Sequence, residues 1–103
     1  MKIAVSVLGK DENSLMDPKF GRAAGFVVFD KDTNSYSYYP NDENIKLAQG
    51  AGIKTAQFIA DLGVSVVISG HFGPKAASVL EKAEIKMVNG EEGKTAKQLI
   101  SLI

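Results

Sequence analysis

Residues Ile3 to Leu8 read Ile-Ala-Val-Ser-Val-Leu, nearly continuous in apolar and β-branched side chains. A strand with one wet face alternates apolar and polar residues. A run without that alternation suits a strand covered on both faces, at the middle of a sheet. The rest of the chain must then supply both its neighbours and the layers above and below it.

It does so in order. Phe26 to Asp30 and the alternating Ser35-Tyr36-Ser37-Tyr38-Tyr39 flank the turn-forming Lys31-Asp32-Thr33-Asn34, which predicts a hairpin with a half-exposed outer strand. Pro40 to Gln49 reads as loop. Ile53, Ala56, Ile59 and Ala60 recur at helical spacing between Gly50 and Leu62, with Gly63 as the stop. Val64 to Ser69 is a second buried-type strand, and Pro74 stands at the first turn of a helix carrying Ala76, Val79, Leu80 and Ala83. Ile85 to Val88 is a last strand, and Ala96, Leu99, Ile100 and Ile103 mark a third helix. With right-handed crossovers, this order predicts one α/β domain over residues 1–103: a five-stranded mixed sheet of order 3-2-1-4-5, strand two antiparallel, with three helices packed on it. Strands one, three, four and five then end at one edge, where residues 9–22, 40–52, 69–75 and 89–93 form a rim. The switch point between strands one and four is where open α/β sheets bind ligands.

Composition narrows what that rim can do. Twelve Lys and Arg balance twelve Asp and Glu, and no window gathers like charges, so the footprint of a nucleic-acid binder is missing. Without cysteine, disulfides, thiolate zinc sites, cysteine-ligated clusters and cysteine nucleophiles are excluded together. No apolar run approaches the roughly 20 residues that span a bilayer. A cytoplasmic protein is expected, with no membrane or nucleic-acid partner, monomeric or weakly dimeric.

Ser69-Gly70-His71-Phe72-Gly73-Pro74-Lys75 joins a strand to a helix and holds the single histidine. Its glycines let backbone N–H groups approach a ligand, and the helix start favours negative charge. The competing structural reading is a tight turn with His71 merely exposed. Lys19-Phe20-Gly21-Arg22 supplies the single arginine, whose fork suits phosphate, carboxylate or a sulfide-rich anion; the alternative is an anchoring Phe with a solvated Arg. Gly50 and Gly52 open another helix on the same rim. Enzymatic and nucleotide motifs fail on spacing. Gly93-Lys94-Thr95 would need glycine where Val88 stands, and Thr55 occupies the third-glycine place after Gly50 and Gly52. No G-x-S-x-G surrounds a serine. Strands one and four lack the carboxylates with which nucleases of this strand order hold two metals. Tyr36, Tyr38 and Tyr39, without a basic groove, read as edge packing or a dimer surface rather than a base-stacking platform.

Taken together, the start MKIAVSV, the motif Phe20 to Ala23, the glycine run and helix at Gln49 to Ala60, and the stretch Val64 to Ala77 resemble the dinitrogenase iron-molybdenum cofactor biosynthesis family over nearly the whole chain. That family includes NifX, NafY and the carboxy-terminal domain of NifB. The resemblance implies a ribonuclease-H-like fold without nuclease activity. It also implies a non-enzymatic binder or carrier of a small anionic ligand, an iron-sulfur or iron-molybdenum cluster or its precursor, held transiently and handed to a cluster-accepting protein. Onto this sequence it carries Phe20, Gly21 and Arg22 from one motif and Gly70, Gly73 and Pro74 from the other. Many relatives have histidine just before Phe-Gly-Arg, and some have histidine or cysteine near the glycine run; here Lys19 and Gln49 stand there. His71 is then the one candidate metal ligand, and docking falls to Arg22, Lys19 and backbone N–H groups. Two other readings stay open: a regulatory or interaction module that binds no cluster, and a small enzyme acting on a phosphorylated metabolite.

Overall fold

The central run becomes β1 (Lys2–Val7), buried from Ile3 to Val7, in a computed structural model that describes residues 1–103. It pairs antiparallel with β2 (Gly25–Asp30), Val5 opposite Val27, and parallel with β4 (Val66–Ser69), Val5 opposite Ile68. β3 (Ser35–Pro40) extends the sheet beyond β2, and β5 (Lys86–Asn89) extends it beyond β4. The order is β3-β2-β1-β4-β5, as the connection rules require.

Four α-helices accompany the sheet where three were expected: α1 (Asp42–Ile45), α2 (Ala51–Asp61), α3 (Pro74–Lys82) and α4 (Ala96–Ile100). α1 lies inside the stretch read as loop, and a 3-10 turn forms at Phe20–Arg22. Period-two alternation along β1 divides the core. Ala4 faces the layer of α2 and α3, among Phe20, Phe26, Ala56, Ile59, Val67 and Leu80. Ile3, Val5 and Val7 face α4, among Val27, Val66, Ile68, Ala96 and Leu99. α4 starts in a reciprocal cap, the Thr95 hydroxyl accepting from the Gln98 N–H and the Gln98 amide oxygen from the Thr95 N–H.

Boundaries shift where the chain leaves the sheet. Leu8 is 60% exposed and outside β1, its N–H already donating to Leu15 O in the following excursion. Val64 is buried but precedes β4, and Ile103 lies beyond α4, exposed. No helix is long and apolar enough to cross a membrane.

Candidate functional site

The crevice beyond β1 and β4, expected to receive a ligand, is filled by the chain itself. Ser6 on β1 and Ser69 on β4 are fully buried with their hydroxyls 2.7 Å apart, and the Asp17 carbonyl accepts from Ser6 at 2.7 Å and from Ser69 at 3.3 Å. The Asp17 N–H donates to Ser6 O at 2.8 Å. Next in the chain, Lys19 is bridged to His71, with the Phe20 N–H donating to the His71 carbonyl at 3.2 Å. A Cβ on Gly70 would stand 2.7 Å from the Cα of Pro18 and 2.8 Å from its carbonyl oxygen. Gly70 therefore serves a backbone crossing and offers no cradle to a ligand.

Open space lies one layer away, where α2 and α3 begin. Gly21, Gly50, Gly52, Ile53, Gly73, Pro74, Lys75 and Ala76 line a cleft of about 320 Å³. Gly21 passes so close to α2 that a Cβ on it would meet the Cα of Gly52 at 3.0 Å. Gly50, at φ 78°, and Gly73 have nothing within 4 Å of where a Cβ would be. Neither helix start has a side-chain cap; the N–H groups of Ala51, Gly52 and Ile53 on α2, and of Lys75 and Ala76 on α3 behind Pro74, which has none, lack protein partners, and the two positive dipole ends border one space. The lining carries one ammonium, Lys75, and no carboxylate. A larger groove of about 540 Å³ between α1 and α2 has the opposite character, with Asp42, Glu43 and Asp61 against Lys54 alone. Its field repels an anion that the smaller cleft attracts.

Arg22 and His71 lie outside the cleft lining. The exposed Arg22 guanidinium uses Nη1 to donate to the carbonyls of Ile45 at 3.1 Å and Leu47 at 3.2 Å, tying down the end of α1 and the strap that leads to Gly50. Phe20 is fully buried, its ring 5.5 Å from Phe26 and 5.2 Å from Phe72; it anchors the turn and touches no open space. Lys19 and His71 are exposed beside one another across their bridge.

The family model for the dinitrogenase iron-molybdenum cofactor matches residues 1–103. This chain belongs to that family. The apo form of the orange protein from Desulfovibrio gigas superposes with a TM-score of 0.93 at 43% identity, over 97% of this chain and 83% of that one. A Thermotoga protein described as a candidate NifB of the DUF35 family superposes with a TM-score of 0.83 at 28% identity, over 97% of this chain and 84% of its own. An uncharacterized protein of Methanocaldococcus jannaschii is 31% identical over 87 residues, 82% of this chain and 70% of that protein.

Within this family member the residues singled out from sequence divide. Gly21, Gly50, Gly52, Gly73 and Pro74 come together in the cleft; Lys19, Phe20, Arg22, Gly70 and His71 do not. No group of three His, Cys, Asp or Glu side chains is placed to hold a metal, so His71 belongs to no such ligand set. What the cleft does offer is peptide N–H groups and an ammonium, donors suited to an anion. Ile53, Lys75 and Ala76 join the lining without having been assigned a part; Lys75 stood in the quoted glycine segment, and its place one residue after Pro74 was the available signal. Asn41 was missed altogether. It is 2% exposed, and its Nδ2 donates to Ala23 O at 3.0 Å and Thr55 Oγ1 at 3.1 Å while its Oδ1 accepts from Asn44 at 2.8 Å. It latches α1 to the layer that carries the cleft.

Proposed function

We propose that this chain is a non-enzymatic carrier that holds a small anionic cargo in the cleft between the starts of α2 and α3 and hands it to an accepting protein. The cargo class, an iron-sulfur or iron-molybdenum cluster or a precursor, comes from the family; the cleft supplies the reason a chain without cysteine can hold it. Two uncapped helix starts over a glycine-lined space with Lys75 and no carboxylate are the observation that carries this reading. Docking by N–H groups and one ammonium is reversible, which suits handover better than a full ligand set would. Lys19 and Arg22, in the segment that leads into the cleft, add positive charge to its approach. The sheet order also supports reading residues 1–103 as one ribonuclease-H-like domain.

The test is anaerobic incubation with iron, sulfide and molybdate, desalting, then metal analysis and an absorption spectrum, on wild type and Gly73→Asp. Gly73 is the N-cap of α3 at φ −66°, ψ 158°, a conformation an aspartate adopts freely. Its carboxylate would occupy the N–H groups and bring negative charge to the cleft. Fold stability should hold or rise slightly, while retained metal should fall by about tenfold or more. Wild type that retains no metal, or a variant that retains as much as wild type, would reject the cleft as a cargo site.

A further inference from the structure

The two edges of the sheet are unequally protected. β5 is four residues long with Lys86 exposed on it, and shortness and lysine are common guards of an edge. β3 runs six residues, Ser-Tyr-Ser-Tyr-Tyr-Pro, carries no charge and pairs only with β2. Its outward backbone groups follow from the register. The Asn41 N–H donates to Ala24 O at 2.8 Å, and Phe26–Tyr39, Val28–Ser37 and Asp30–Ser35 continue the same alternation. Ser35, Ser37 and Tyr39 therefore direct their N–H and C=O toward β2, and Tyr36 and Tyr38 direct theirs away. Nothing in the chain pairs with those outward groups. Asn34, left-handed at φ 56°, ends the stretch on one side, and Pro40, with no N–H, ends it on the other.

We propose that this edge pairs with the same edge of a second copy, antiparallel about a twofold axis at Ser37, so that Tyr36 of each copy exchanges both hydrogen bonds with Tyr38 of the other. Three observations favour a second copy as the occupant. The outward pair Tyr36 and Tyr38 maps onto itself under that twofold. The formal net charge is zero, so copies do not repel at long range. The turn Lys10-Asp11-Glu12 borders Tyr36, Ser37 and Tyr38 and carries both signs, so a second copy meets at this edge charges of either sign with which its own can pair. Two short edge strands bury less than the roughly 1,200 Å² of stable complexes, so the dimer is weak and reversible. Its axis stands perpendicular to the sheet, which leaves both α2/α3 layers on one side and the two clefts open at opposite ends.

Amide hydrogen exchange and sedimentation between about 10 μM and about 1 mM test this. The Tyr36 and Tyr38 amides should gain protection with concentration, whereas those of Ser35, Ser37 and Tyr39, already bonded to β2, should not. Ser37 is exposed, so Ser37→Lys and Ser37→Glu keep the fold while setting like charges on the axis. Each alone should stay monomeric, and an equimolar mixture should dimerise at least as well as wild type. A wild type that remains monomeric to about 1 mM overturns the proposal. So does a lysine variant that dimerises like wild type, or a mixture no better than its components.

Discussion

Glycine does two different jobs in the segment Gly70 to Gly73, and parallel substitutions separate them. At Gly70 an added methyl meets Pro18 backbone at 2.7 and 2.8 Å, and that backbone is held on both sides by the bonds of Asp17 to Ser6 and of Phe20 to His71. Gly70→Ala is expected to cost about 1–3 kcal/mol through overpacking. Gly73→Ala meets nothing within 4 Å at an ordinary φ, and a slightly poorer cap is offset by a less flexible unfolded chain, leaving it within about 0.5 kcal/mol of wild type. Urea midpoints measure both; equal losses would mean that Pro18 gives way. The two glycines look alike in sequence, because what distinguishes them is the approach of a segment distant in the chain. Arg22 shows the same limit from the other side. Its guanidinium chemistry points to anions, but two carbonyls of its own chain take Nη1 first.

At the scale of elements, α1 escapes a reading based on periodicity because four residues cannot display a 3.6-residue repeat. Nor is so short a helix stable by itself; it exists because Asn41 and Arg22 tie it down. The trace it leaves in sequence is small: an Asn followed by Asp42 and Glu43, the pattern of a helix start. Asn41→Ala would strand the Ala23 carbonyl and the Thr55 hydroxyl in the core and should cost about 1–3 kcal/mol of global stability. Arg22→Ala removes an exposed tie. It should cost less than about 1 kcal/mol globally while speeding amide exchange over residues 42–49. A global loss above about 2 kcal/mol at Arg22, with exchange in that strap unchanged, would mean the guanidinium supports the core instead. β1 and β4, by contrast, declare themselves through unbroken apolar runs, and only their ends move, where Leu8 turns outward and Val64 is buried ahead of the strand.

For the whole molecule, strand order follows from handedness and hairpin connection alone, so it can be read before any coordinates. The sealing of the switch point cannot. It rests on Ser6, Ser69 and the Asp17 carbonyl, polar groups that look ordinary in a strand or a loop and acquire meaning only when three distant segments meet. The same assembly sets how the folded molecule responds to alkali, through Tyr38 on the outer strand. Its ring lies over Gly25; burial is the larger cause, and the Asp42 carboxylate the smaller, of a phenol held above the usual tyrosine range. At neutral pH the folded and unfolded chains both keep that proton, and its contribution to stability is fully present. As pH rises past the ordinary tyrosine value the unfolded chain releases its proton first, so stability falls until the folded phenol ionises as well. Tyr38→Phe abolishes this dependence and forfeits only a long, 3.5 Å contact to Ala24 O. Denaturation of both proteins at micromolar concentration, from about pH 8 to about pH 11, should show wild type losing ground to the variant above about pH 10. Curves that stay parallel across that range would mean the Tyr38 hydroxyl is as well solvated in the folded sheet as in the unfolded chain.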